Sequence, residues 1–363
     1  MNHPSKRTAL SVPGAIVLSL VLVAQALAHT WSAPIPITSG FAGGLVGLNG
    51  TTADIVYAVW NGSAYDVDVT RSTNSGAAWG APVTLSTNND DAQPGISGLD
   101  PFVDVVWRES NSVMYANSAN GGQNFGLPLV LQTGGFPINL SVGRGAGGLV
   151  IVAWQNGKTY AIKTRVSTNG GATFGPTKSF SSNVQDMGTS VAAGDGVVYL
   201  AYKTTLAKLR VRRSTDGGVT WSGAGNVTND GVGVFGEFDV TADGTHAYIG
   251  YTVRNPNNTA WGAVRYRRTL DSGMTWSAEF ALAPPTWKTE EPAVTLQNGV
   301  LRAAYARRTS SGHAIYYQQS SDGVNWSSAE QVNPNGNDPD VGRAGNIIVV
   351  YGWTGGSYVR LGT

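Results

Sequence analysis

The chain of 363 residues contains no cysteine, and only 13% of its residues are charged. The missing cysteine excludes disulfides, a thiol nucleophile and thiolate-ligated zinc. Globular proteins average about 25% charged residues, so the chain lacks material for solvated helix faces, which argues against a helical bundle and a doubly wound α/β enzyme. Histidine is scarce, and beyond the N-terminal stretch His29, His246 and His313 are too scattered for a metal or triad pattern. There is no P-loop and no nucleophile elbow. Residues 143–148, GRGAGG, fit G-x-G-x-x-G, but no helix pattern follows and they read as a hairpin turn. No cofactor and no metal is expected. The net charge of +1 is spread without basic or acidic blocks, which disfavours nucleic acid as a partner.

Glycine is abundant instead, with 48 in the chain beside 11 tryptophans. At the start, Lys6 and Arg7 precede an apolar run over residues 15–24 and then QALA at residues 25–28. This reads as a secretory signal peptide, residues 1–28, cut after Ala28. The apolar run is shorter than the roughly 18 residues that span a bilayer, so no stable membrane insertion is expected after cleavage. Export without cysteine suggests a bacterial secreted protein. Residues 29–363 are read as one domain.

A short motif returns six times: STNSGAAW from Ser72, SANGGQNF from Ser118, STNGGATF from Ser167, STDGGVTW from Ser214, TLDSGMTW from Thr269 and SSDGVNW from Ser320. Asn74, Asn120, Asn169, Asp216, Asp271 and Asp322 can each hydrogen-bond the backbone of their own turn. The glycine that follows tolerates positive φ, and the closing aromatic can pin the hairpin. Each copy offers at most one carboxylate, too few for a calcium loop, so these are structural residues. The pattern resembles the Asp-box, or BNR repeat, of sialidases and related β-propellers.

Around each box the flanks repeat as well. Runs such as DIVYAVW at residues 54–60 and YDVDVTR at residues 65–71 come before it, and APVTL at residues 81–85 follows. Four short antiparallel strands per unit make a propeller blade. The last box is followed by three more strands, near residues 338–344, 347–351 and 357–361, and then the chain stops. The missing fourth is expected at the other end, where TWSAP at residues 30–34 copies the box exits TWS at 220–222 and WGAP at 79–82. The expected fold is therefore all-β, a seven-bladed propeller whose N-terminal strand completes the last blade and removes exposed sheet edges. A six-bladed ring, as in sialidases, is the alternative, and a closed ring is expected to be a monomer.

Trp60, Trp107, Trp154, Tyr202, Tyr251, Tyr305 and Tyr351 end the second strands and read as blade packing positions. The loops that vary sit at the channel mouth. There, Arg108, Lys203, Arg254, Arg307, Arg308, Asp338 and Trp287 are the candidate ligand contacts. If the chain is catalytic, the carboxylates to examine are Glu290, Glu291, Asp91 and Glu237. The resemblance implies an arginine triad, a Tyr/Glu nucleophile pair and an Asp acid/base for sialidase activity. The stretch before the first box, TSGFAGG at residues 38–44, offers neither the arginine nor the proline of the usual Arg-Ile-Pro motif. The expected function is thus a secreted module that binds glycan or a secreted or cell-surface protein through the mouth loops, with a divergent sialidase-like glycoside hydrolase as the alternative.

Overall fold

The computed structural model describes residues 28–48, 50–89, 93–180, 184–194, 196–204, 206–228, 233–253, 262–284 and 286–363. Among them the strands form seven four-stranded sheets. The first blade runs Phe41–Gly47, Ala53–Trp60, Tyr65–Ser72 and Val83–Asn89 from the channel outwards. The next five repeat this order. The seventh takes Asn337–Ala344, Asn346–Trp353 and Gly356–Gly362 from the C-terminus and Ile35–Thr38 from the N-terminus. The terminal strand lies a few residues later than the sequence copy suggests, with Trp31 making an isolated bridge to Gly362.

Each second strand is apolar on both sides because a blade is covered by neighbours on both faces. The apolar side chains form seven clusters, one at each blade junction. Trp107, Trp154, Tyr202, Tyr251, Tyr305 and Tyr351 are buried as expected, but Trp60 is 55% exposed. Counting from the residue paired to the box serine, as Ala53 pairs Ser72 and Val103 pairs Ser118, the residue equivalent to Trp107 is Tyr57. Tyr57 is buried. The second strand of the first blade runs on past the packing position, and Trp60 stands at its loop-face end.

Two kinds of contact fasten blade to blade. Around the channel, innermost-strand side chains accept backbone N–H groups from the next blade: Ser97 from Arg144 (3.1 Å), Ser141 from Val191 (3.1 Å), Ser190 from Val240 (3.1 Å) and Asp239 from Val294 (3.0 Å). Asp340 accepts Leu45 N–H at 2.7 Å and so joins the last blade to the first. Where the first blade meets the second, Gly43 and Gly44 take the place of such side chains. A Cβ on Gly43 would lie 2.2 Å from the Pro94 carbonyl oxygen.

At the opposite end, the side chains of the repeated motif hydrogen-bond their own turns. Ser72 donates to Asn74 at 2.9 Å, and Gly76 and Ala78 amides bond Ser72 and Asn74. The copies at Asn120, Asn169, Asp216, Asp271 and Asp322 repeat this geometry. What the sequence does not reveal is that each turn sits on the preceding blade. Gly122 covers Asp54, Gly171 covers Tyr115, and Gly273 covers Tyr199. The preceding blade grips the turn in return: Asn117 donates to the Gly170 carbonyl at 2.9 Å and Arg213 to the Ser272 carbonyl at 3.1 Å. The closing aromatics pack into the same junctions, Trp79 between blades seven and one and Trp221 between three and four.

The N-terminal segment imitates a box exit in its contacts. In blades four and five Arg212 and Arg267 donate to the carbonyls of Ser222 and Ser277. In blade seven Arg360 donates in the same way to Ser32, and Trp31 packs into the junction of blades six and seven. The contact of Gly122 makes the role of the turns measurable. A Cβ there would lie 2.0 Å from Asp54 Oδ1 at a φ of 79°, whereas one on Gly170, at 75°, would meet nothing within 4 Å. Gly122→Ala is expected to cost about 2–4 kcal/mol in denaturant unfolding, and Gly170→Ala only the left-handed backbone penalty of about 1–2 kcal/mol. Equal losses would locate the cost within the turn and not between blades.

Candidate functional site at the channel mouth

Innermost strands begin at the mouth, and in six blades that end carries a register irregularity: between Ala42 and Gly44, Ile138 and Ser141, Val184 and Thr189, Val234 and Phe238, Glu290 and Ala293, and Asn337 and Asp340. A bulge leaves a residue unpaired and re-aims its side chain. Gln93, Phe136, Glu291 and Asp338 have φ of 39°, 52°, 56° and 45°. Each precedes a proline, which disfavours the right-handed helical region. Left-handed backbone at a non-glycine residue costs about 1–3 kcal/mol and persists only where the surroundings enforce it. The fold holds four such residues around one rim.

The rim is chemically lopsided. Toward blades two and three it carries amides: Asn139 N–H donates to Gln93 Oε1 and its side chain to Gln155 Oε1, both at 3.0 Å. Toward blades five to seven it carries carboxylates. Glu291 accepts Asp338 N–H at 2.8 Å. Glu237 is exposed at the rim yet crowded by the surrounding strands; that desolvation, then the charges of Asp338, Glu291 and Asp239, raises its pKa to about 7. Desolvation raises Glu291 and Asp338 too. Behind them Glu290 Oε1 lies 2.5 Å from His313 Nε2, and Arg308 Nε lies 3.7 Å from the same oxygen.

Beside the acids is an aromatic and guanidinium stack. Arg307 Cζ sits 3.8 Å from the Trp287 ring centroid, and the same guanidinium donates to Tyr316 Oη at 3.2 Å. The Trp287 and Tyr316 rings are 4.8 Å apart. On the other side of the loop face Phe41 is 67% exposed, and Trp60 meets Tyr65 edge-on at 5.2 Å. The mouth opens into a cavity of about 980 Å³ lined by all seven innermost strands. Asp239 and Asp340 are among the carboxyls in its wall. Desolvation raises Asp239 to about 7 and Asp340 to about 6, although both accept backbone N–H groups. Among the described lining residues the one arginine is Arg144, which hydrogen-bonds Asp104.

Of the residues expected at the mouth, Glu237, Glu290, Glu291, Asp338, Trp287, Arg307 and Arg308 come together on blades five to seven. Arg108 and Lys203 do not project into it; both are 2% exposed, and Arg108 lies under the Phe136 ring at 4.4 Å. One position past a packing aromatic faces the other side of the sheet, which in a propeller is also covered. Asp91 and Arg254 lie outside the described residues. His313 and Tyr316 were not legible as site residues, because the hairpin of blade six brings them to Glu290 and Trp287 from distant sequence. Phe41 and Trp60 could have been found by aligning strands on the box serines.

No protein-family model matches the chain, and no curated protein does. Solved structures match the fold. The polysaccharide lyase Uly1 aligns at a TM-score of 0.59 with 10% identity, covering 93% of this chain and 100% of that one. The phage phi92 endosialidase aligns at 0.52 with 10% identity, covering 92% and 69%. The fucose-specific lectin from Aleuria aurantia aligns at 0.50 with 15% identity, covering 83% and 98%. The chain is thus a β-propeller structurally similar to carbohydrate-binding lectins and carbohydrate-active enzymes.

The carboxyls set a pH signature. A raised folded pKa means stability is fully present below the unfolded value and is lost as pH rises through the folded one. Glu237 and Asp239 therefore contribute stability that disappears between about pH 4 and 7. Asp216 and Asp271, each lowered to about 2 chiefly by hydrogen bonds from Thr220 and Thr275, contribute above pH 4 and lose it as pH falls toward 2. Thermal melts are expected to peak at about pH 4–6. Glu237→Gln should flatten the decline toward pH 8, and a slope equal to that of the parent protein would refute the assignment.

Proposed function

We propose that this is a secreted, non-catalytic glycan-binding propeller that takes a neutral, hydroxyl-rich saccharide at the rim of blades five to seven. The observation that carries the reading is which charges remain on offer. Arg307 is stacked on Trp287 and bonded to Tyr316, and Arg308 is beside Glu290 and His313. Glu237, Glu291 and Asp338 are left facing the opening, where their mutual repulsion and desolvation call for hydrogen-bond donors. Sugar hydroxyls supply those donors without adding negative charge, and the Trp287 ring on the same side of the rim suits the apolar C–H face of a pyranose. An anionic saccharide would instead add to the repulsion. Carbohydrate-handling proteins use rings of this shape, which makes glycans the first ligand class to test.

One observation favours a second reading, a divergent glycoside hydrolase. Glu237, raised to about 7, stands beside the carboxyls of Asp338 and Glu291, and a pair of neighbouring carboxyls is what a general acid and its base or nucleophile require. A sialidase-type site has less support. Among the described residues no three arginines converge, and the Tyr251–Glu279 hydrogen bond, at 2.8 Å, belongs to a tyrosine with no exposure. A glycan array followed by titration separates the readings. Binding of neutral oligosaccharides is expected, with Trp287→Ala weakening it about tenfold and Glu291→Gln also weakening it. Absence of any glycan ligand would overturn the proposal. Turnover of a fluorogenic glycoside that is lost in Glu237→Gln would move the assignment to the hydrolase.

A further inference from the structure

The N-terminal segment closes the ring through backbone pairs, Thr30 N–H to Thr363 O and Thr363 N–H to Thr30 O, both at 3.1 Å. Just before it, one carboxylate gathers three donors. Glu330, on the outermost strand of blade six, receives the His29 backbone N–H at 3.1 Å, the Trp31 indole N–H at 3.2 Å, and has His29 Nδ1 at 3.0 Å. The Glu330 side chain is 11% exposed. Tyr317 walls the site, its ring 5.6 Å from that of His29 and 5.5 Å from that of Trp31. The carboxylate is nearly closed off, and in the uncut chain the His29 nitrogen brings it only a neutral amide.

We propose that the Ala28–His29 bond is a processing site and that the α-ammonium it releases pairs with Glu330, latching blade six to the terminal strand of blade seven. Water adds across the amide: the Ala28 carbonyl carbon leaves as a carboxylate, and the His29 nitrogen takes up protons to become an ammonium. A nitrogen already 3.1 Å from Glu330 Oε2 thereby changes from a neutral donor to a cation without having to move, and charge-assisted bonds are about twice as strong as neutral ones. The latch is absent before export and complete after it, so the ring reaches full stability only once the leader is gone. This inference rests on the leader reading of residues 1–28 and is independent of the ligand.

The charged and titratable groups around the new ammonium are the His29 imidazole, Glu330, Tyr317, and the arginines Arg360 on the last strand and Arg302 and Arg343 near Tyr317. A free α-amine titrates near 7.7–8.0. A carboxylate partner raises that value, so the added stability holds below about pH 8 and fades as pH rises through the folded value.

The test compares purified chains that begin at His29 with chains that keep Ala28, each with Glu330 or Glu330→Gln. The His29 chain is expected to melt about 2–4 °C higher at pH 6, with the difference shrinking by pH 10 and absent in the Glu330→Gln pair. Equal melting of the two Glu330 chains at pH 6 would overturn the latch, even if Glu330→Gln itself folds poorly. Mass spectrometry of the protein exported from cells separately reads the cut. A mature N-terminus at His29 is expected, and a different one would overturn the processing site.

Discussion

Everything in this ring depends on how one blade hands a hydrogen bond to the next. Seven sheets packed face to face would hold by apolar contact alone, but apolar contact is non-directional and does not fix how far one blade slides along its neighbour. The N–H groups of innermost strands, turned toward the channel, need partners. Serine and aspartate side chains of the preceding blade supply them at five junctions, while glycines stand there where the first blade meets the second. Asp340 does so from the last blade to the first, beside the strand pairing, the Arg360–Ser32 contact and the apolar packing that hold the covalent ends. On the opposite face the box turns repeat the device, with carbonyls gripped by the blade behind.

The same device shapes the mouth. A channel wall that uses carboxylates as acceptors collects negative charge, and Asp239 and Asp340 bear the cost of desolvation while their backbone donors offset part of it. Glu237, Glu291 and Asp338 add to this at the rim without equal compensation. They stay in place because the bulges and the left-handed residues before Pro292 and Pro339 are held by the ladders beneath them. Rigidity below thus holds partly compensated carboxyls in place above, and preorganisation of that kind lowers the cost of binding a ligand.

Much of the ring was legible because its turn chemistry is periodic. Serine, Asn or Asp, glycine and an aromatic recur at fixed offsets, and the lone exit TWSAP at residues 30–34 revealed the terminal strand that closes the seventh blade. Trp60 misled because a match to the last aromatic of a strand ignores strand length; the ladder places Tyr57 there. Arg108 and Lys203 misled because alternation puts them on a second face that only the ring covers. The Glu290–His313 and Trp287–Arg307–Tyr316 groupings are products of hairpin geometry, and no short motif carries them. The inter-blade role of the boxes was hidden for the same reason: each motif's partner lies in the previous repeat.

Amide hydrogen exchange reads the handed-over bonds directly. The amides of Leu45, Arg144, Val191, Val240 and Val294, each bonded to a side chain of the neighbouring blade, should exchange only through global unfolding, with the same protection as the central ladder amides. If these amides instead exchange through local opening while the blades stay folded, the ring is held by apolar packing alone and the account is wrong.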